Sequence, residues 1–128
     1  MNVRAFAAAC LWAAGVAVAT ADVPLKDAAE IAGTWKLESV APGLEKPRIE
    51  ENRIWEFRPD GVLVTSGYNR HIKTEDRYEW HYRIVDGKVL VADPGRPGKT
   101  LDYSIYKKEG NELILKGGIE GFSFFKKQ

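Results

Sequence analysis

The sequence predicts an all-β protein: an eight-stranded antiparallel up-and-down barrel preceded by a short N-terminal helix. Beyond Gly33 the apolar residues recur at period two, and the alternating runs are separated by short turns rich in Gly, Pro and Asn. Eight such runs in succession suit closure into a barrel. Closure removes the exposed sheet edges that a two-sheet sandwich, the alternative architecture, would keep.

The chain opens with a different kind of segment. Met1 to Arg4 make a short positive stretch, Ala5 to Ala19 are almost all apolar, and Ala19-Thr20-Ala21 places small residues where a signal peptidase reads them. About 15 apolar residues are fewer than the roughly 20 that span a bilayer, so residues 1–21 read as a cleaved secretory leader and not as a membrane anchor. Cys10, the only cysteine, lies inside the apolar stretch and leaves with it. Taking 21 residues from 128 leaves 107, and taking Arg4 from the 19 basic side chains leaves 18 against 18 acidic. A neutral domain lacks the basic surplus that nucleic acids or anionic membranes demand. Without cysteine it also has no disulfide, thiolate ligand or cysteine nucleophile. The expected destination is the periplasm or the exterior, and residues 22–128 form one domain.

The elements follow in order. Leu25 to Ile31 can form about two helical turns, ended by Ala32-Gly33. Thr34 to Val40 alternates Trp35 and Leu37 against Lys36 and Glu38, and Pro42-Gly43 ends it. The polar stretch to Glu51 reads as a loop. Arg53 to Phe57 sets Trp55 and Phe57 on one face, with Ile54 and Glu56 on the other. In Pro59-Asp60-Gly61 the proline presets φ and the glycine accepts a positive φ, so Val62 to Tyr68 returns as a hairpin partner. Asn69 to Asp76 is a second polar loop.

Arg77 to Val85 is the clearest strand. Tyr78, Trp80, Tyr82 and Ile84 share one face, and Arg77, Glu79, His81 and Arg83 the other. Asp86-Gly87 signals a type I′ turn, after which Lys88 to Ala92 pairs back. Asp93 to Lys99, with two prolines and two glycines, is a loop. Thr100 to Lys107, Glu112 to Lys116 and Ile119 to Phe125 complete the set, joined at Glu109-Gly110-Asn111 and Gly117-Gly118.

Ile31-Ala32-Gly33-Thr34-Trp35, a helical turn leading into Gly-x-Trp, resembles the opening of lipocalins and their calycin relatives. Trp55-x-Phe57 followed by Pro59-Asp60-Gly61 is similar to the compact bacterial lipocalin-like domains, and the resemblance covers residues 31–125. It implies that Gly33 and Trp35 serve the barrel base and touch no ligand. The larger lipocalins carry a Thr-Asp-Tyr segment, which Thr100-Leu101-Asp102-Tyr103 only approximates. They also lay a late arginine across the base tryptophan. No arginine follows Arg96 here, so Lys126 or Lys127 has to substitute. Leu25 to Trp35 is also similar to the start of bacterial secreted-metalloprotease inhibitors, whose N-terminal tail enters the protease cleft. Those inhibitors normally hold a disulfide, and this chain has none to offer.

The candidate ligand-binding residues are Trp55, Phe57, Tyr68, Tyr78, Trp80 and Tyr82. Rings with polar tips inside a barrel are what small-molecule pockets are made of, and they also serve as ordinary core. The Arg77/Glu79/His81/Arg83 face reads as solvated, with ion pairs worth less than about 1 kcal/mol each. A one-residue slip would turn that face inward. His71 and His81 fit no compact metal motif, so neither metal nor cofactor is expected. No phosphate loop, nucleophile elbow or His-Glu-x-x-His occurs, and no catalytic residue is assigned. The expected function is binding of a small apolar or aromatic ligand, or of a protein partner. The alternatives are a barrel enzyme acting on a small aromatic or carboxylate substrate, with His81 or Glu79 as base beside Tyr78 or Tyr82, and a metalloprotease inhibitor.

Overall fold

The computed structural model describes residues 24–128; the expected leader, residues 1–21, lies outside the described ones. Eight strands follow one another: β1 (Gly33–Ala41), β2 (Ile49–Phe57), β3 (Val62–Asn69), β4 (Thr74–Val85), β5 (Lys88–Ala92), β6 (Thr100–Glu109), β7 (Glu112–Gly117) and β8 (Gly121–Lys127). Each pairs antiparallel with its sequence neighbour, and β8 returns to β1 to close the barrel. The closing seam runs through Leu37 opposite Phe125 and Val40 opposite Ser123.

Alternation puts every second side chain inside. In β4 the Tyr78/Trp80/Tyr82 face points inward, and Arg77, Glu79, His81 and Arg83 are exposed. The outer charges do pair, but along the strand: Arg77 meets Glu79 at 3.0 Å with both side chains 55% exposed. In β1 the register slips between Leu37 and Ser39, a bulge that keeps Leu37 and Val40 both inside although three positions separate them. Asp86 and Gly87 take φ of 52° and 79°, the two positive values a type I′ turn requires.

β6 runs on to Glu109 and β8 is shifted to Gly121–Lys127, and three larger differences from the sequence expectation have evident causes. β2 starts at Ile49, because Ile49 and Glu50 pair with Val40 and Ser39 beyond the bulge. β4 starts at Thr74, held by the ladder from Asn69 and Tyr68. The expected two-turn helix is a single 3₁₀ turn, Ala28–Glu30, capped by the Asp27 carboxylate on the Ala29 N–H at 3.0 Å. A longer helix does not form because both flanks are committed to the base of the barrel. The Leu25 N–H donates to the Gly87 carbonyl (3.1 Å), and Ile31 turns inward to complete burial.

That segment plugs one end. Leu25 and Ile31 pack with Trp35, Phe57, Tyr82, Val89, Ile105, Leu113 and Phe125. Each fully buried aliphatic or aromatic side chain contributes about 1.5–3 kcal/mol. The Trp35 indole N–H donates to the Ile31 carbonyl at 3.0 Å. Lys127 lays its ammonium 4.7 Å from the centre of the Trp35 ring and donates to the Ala32 carbonyl at 3.0 Å. Of the two late lysines, Lys127 is thus the one that lies across Trp35. With the N-terminal segment, Lys127 and the β2–β3, β4–β5 and β6–β7 turns gathered at this end, only the opposite end is free to open.

Lys127→Ala removes a cation over an aromatic face and a charged hydrogen bond together, so urea denaturation should show a loss of about 1–2 kcal/mol. Lys127→Arg, which keeps both contacts, should stay within about 0.5 kcal/mol of the parent protein.

Candidate functional site

Above the filled base the barrel is hollow. A cavity of about 280 Å³ lies in the half bounded by the β3–β4 and β7–β8 turns. Its apolar floor and walls are Leu37, Leu63, Val91, Leu101 and the rings of Trp55, Trp80 and Tyr103. The Trp55 ring meets Phe125 and Tyr103 edge-on, with centroids 5.0 and 5.9 Å apart. The Trp80 indole donates to the Thr65 hydroxyl at 2.9 Å, which fixes the ring against β3. Tyr103 is nearly fully buried. Burial pushes its phenol up to about 12, with the Glu120 charge adding to the shift, so the hydroxyl keeps its proton.

The upper wall is ionic. Arg53 of β2 and Asp76 of β4 are separated by β3, where both stand opposite Gly67. Gly67 has φ of 121°, and a Cβ there would press on Arg53 Cα and the Asn52 carbonyl, each at 3.3 Å. The glycine leaves a gap over which the guanidinium crosses. Arg53 Nη1 donates to the Gly67 carbonyl at 2.9 Å, and Nη2 lies 2.7 Å from Asp76 Oδ1. The second contact is an ion pair without hydrogen-bond alignment. Asn69 donates to the other Asp76 oxygen at 2.7 Å. Burial is the largest single influence on Asp76 and raises it. The Asn69 bond and the Arg53 contact and charge together outweigh burial and hold the carboxyl below its ordinary value.

A second ionic group straps the mouth. Arg70 reaches Glu51 at 3.0 Å and Glu120 at 3.4 Å, joining β2, the β3–β4 turn and the β7–β8 turn. His71 Nε2 stands 3.8 Å from the same Glu120 oxygen. Ligand atoms of Glu51, His71 and Glu120 lie within 4.8 Å of one another, a spacing a divalent ion could bridge. In this arrangement the Arg70 guanidinium bridges two of the three groups, one positive charge against two carboxylates.

Of the residues singled out from the sequence, Trp55, Tyr78 and Trp80 line the cavity. Tyr78 does so at the mouth and remains half exposed. Phe57 and Tyr82 do not reach it: they stack edge-on at 5.2 Å in the filled half, and the Tyr82 hydroxyl donates to the Arg58 carbonyl. Tyr68 does not reach it either. In β3 the inward positions are Leu63 and Thr65, so Tyr68 takes the outward parity and stands in solvent. Glu79 and His81 are on the outer face, away from Tyr78 and Tyr82, so the acid–base pairing considered from sequence does not assemble. Glu51, Arg53, Asp76, Tyr103 and Glu120 escaped the sequence reading. The inward parity of Trp55 and Phe57 carried back to 53, and that of Trp80 carried back to 76, is the signal that finds two of them.

The chain matches no family model and no curated protein. In fold it is similar to the crystal structure, at 2.60 Å resolution, of an uncharacterized protein from Bacteroides eggerthii DSM 20697. The TM-score is 0.53, over 76% of this chain and 98% of that one, at 12% identity. At that identity the likeness concerns the barrel alone.

Arg53→Met leaves the buried Asp76 charge uncompensated and should cost about 3 kcal/mol in urea denaturation, whereas Arg53→Met combined with Asp76→Leu should recover most of it. The lowered Asp76 value has a definite sign. Its stabilisation is present above the unfolded carboxyl's value near ~3.9 and is lost as pH falls through the lower folded value. Stability of the parent protein should therefore fall more steeply on acidification below about pH 4 than that of the double variant.

Proposed function

We propose that the protein is an exported, lipocalin-like binding protein that holds a small apolar or aromatic ligand in the open half of its barrel. The observation that carries the reading is the aromatic-walled cavity, open at one end only and bounded by a few fixed polar groups. Binding sites for small molecules have this make-up, and about 280 Å³ stands near the lower end of their usual size. An apolar cavity of about 150 Å³ takes up benzene, so a bicyclic ring system is the natural upper size here. The cross-base Lys127–Trp35 contact supports the lipocalin-like kinship. A tail-inserting inhibitor is less well supported, because Leu25 is buried in the base and tied to Gly87. A protein partner at the mouth remains the second reading, favoured by Ile72 and Ile119, which stand 54% and 82% exposed around it.

Saturation-transfer NMR with indole should show binding to the purified domain. Ser123→Phe, which fills the cavity from β8, should abolish that binding while leaving the far-ultraviolet circular dichroism unchanged. Indole transfer that persists in Ser123→Phe would place binding outside the barrel. The export half of the proposal predicts that the protein recovered from its producing cells has lost residues 1–21 and begins at Asp22, as read by intact mass.

A further inference from the structure

The proposal that the cavity binds a small molecule leaves the charge of that molecule open, and the mouth decides it. Three carboxylates, Glu51, Asp76 and Glu120, face two guanidiniums, Arg53 and Arg70. Arg53 is committed to Asp76 and the Gly67 carbonyl. Arg70 is divided between Glu51 and Glu120, so two carboxylates share a single guanidinium beside the opening. Glu51 and Glu120 both line the cavity, and Glu51 is buried to 93% of its side chain.

The groups beneath those carboxylates suit a cation too. Trp55, Trp80 and Tyr78 present aromatic rings to the cavity, and ring faces attract an ammonium most strongly where water is scarce. Tyr103 and Ser123 are 7% and 4% exposed and line the same space. Their hydroxyl-bearing side chains add polar groups to a largely apolar lining. The Tyr103 hydroxyl lies close enough to Glu120 to feel its charge.

We propose that the ligand class of this site is a small primary amine on an aromatic or apolar body, its ring between Trp55 and Trp80 and its ammonium beneath Glu120, within reach of the Tyr103 hydroxyl. The inference rests on the cavity being a ligand site. An anionic counterpart would set its carboxylate against those of Glu51 and Glu120, at short range and partly out of water, where repulsion is least screened.

Three indoles of matched shape separate the two questions: tryptamine, tryptophol and indole-3-acetate carry positive, zero and negative charge at neutral pH. Titrations followed by tryptophan-independent NMR shifts of the protein should give tryptamine an affinity about tenfold above tryptophol, with indole-3-acetate weaker than both. Glu120→Gln should bring tryptamine down to the level of tryptophol measured on the same variant, with the dispersion of its amide NMR spectrum reporting that the variant is folded. Equal binding of tryptamine and tryptophol, or a preference that survives both Glu120→Gln and Glu51→Gln, would overturn the cation assignment and leave the cavity-binding reading standing. If none of the three indoles nor indole itself binds, it is the binding reading that falls, and the cation assignment falls with it.

Discussion

Closing a barrel forces a strict division, because every second residue of every strand must face the same interior. This chain spends that interior in two ways along the barrel axis. Near the base the inward positions are Trp35, Phe57, Tyr82, Val89, Ile105, Leu113 and Phe125, and they fill it. Toward the other end β2, β3 and the β7–β8 turn place Glu51, Arg53, Thr65, Asn69 and Glu120 inside or at the rim. The asymmetry depends on the plug. Without Leu25, Ile31 and the Lys127–Trp35 stack, the base would be a second opening and the apolar half would meet water. One end is sealed by burial, and the site exists because the other is not.

Much of this was legible before any coordinates. The turns at Pro59-Asp60-Gly61 and Asp86-Gly87 and the division of β4 into an aromatic and a charged face follow from local chemistry and period-two alternation. The late lysine over Trp35 came from the resemblance to lipocalins, and which face of β4 points inward stayed open. What could not be read depends on contacts between distant segments. The bulge in β1 returns Val40 to the interior out of simple parity, and nothing in Glu38-Ser39 announces it. The polar run before Arg53 looks like a loop because its own composition is that of one. It becomes strand only because β1 offers it a ladder.

The candidate site divides along the same line. Trp55 and Trp80 could be put on the apolar face of their strands from sequence, and closure of the barrel turns that face inward. Arg53 and Asp76 share their parity, yet a charged residue at the end of a strand is read by default as solvated. Only the three-strand juxtaposition across Gly67 shows that each is the other's counter-charge. Phe57, Tyr82 and Tyr68 fail as cavity residues for different reasons. The first two have the right facing at the wrong height, and the third has the right height on the wrong face. Periodicity groups residues by face; which face turns inward needed the closed register, and height along the axis needed the plug.

The ionic wall is not explained by stability. Replacing a buried ion pair with well-packed apolar residues is often neutral or stabilising, so a barrel under pressure only to fold would do as well with an apolar mouth. An apolar mouth, however, would close, because nothing opposes the inward collapse of aliphatic side chains that gain by leaving water. Arg53 lies flat across Gly67, pinned by the Gly67 carbonyl and Asp76. Arg70 spans from Glu51 to Glu120. Both guanidiniums are held at the wall by partners they cannot leave without exposing a buried carboxylate. The space between them stays open because neither guanidinium can fold inward without stranding a buried carboxylate, so the polar mouth holds the shape of the cavity where aliphatic side chains would not.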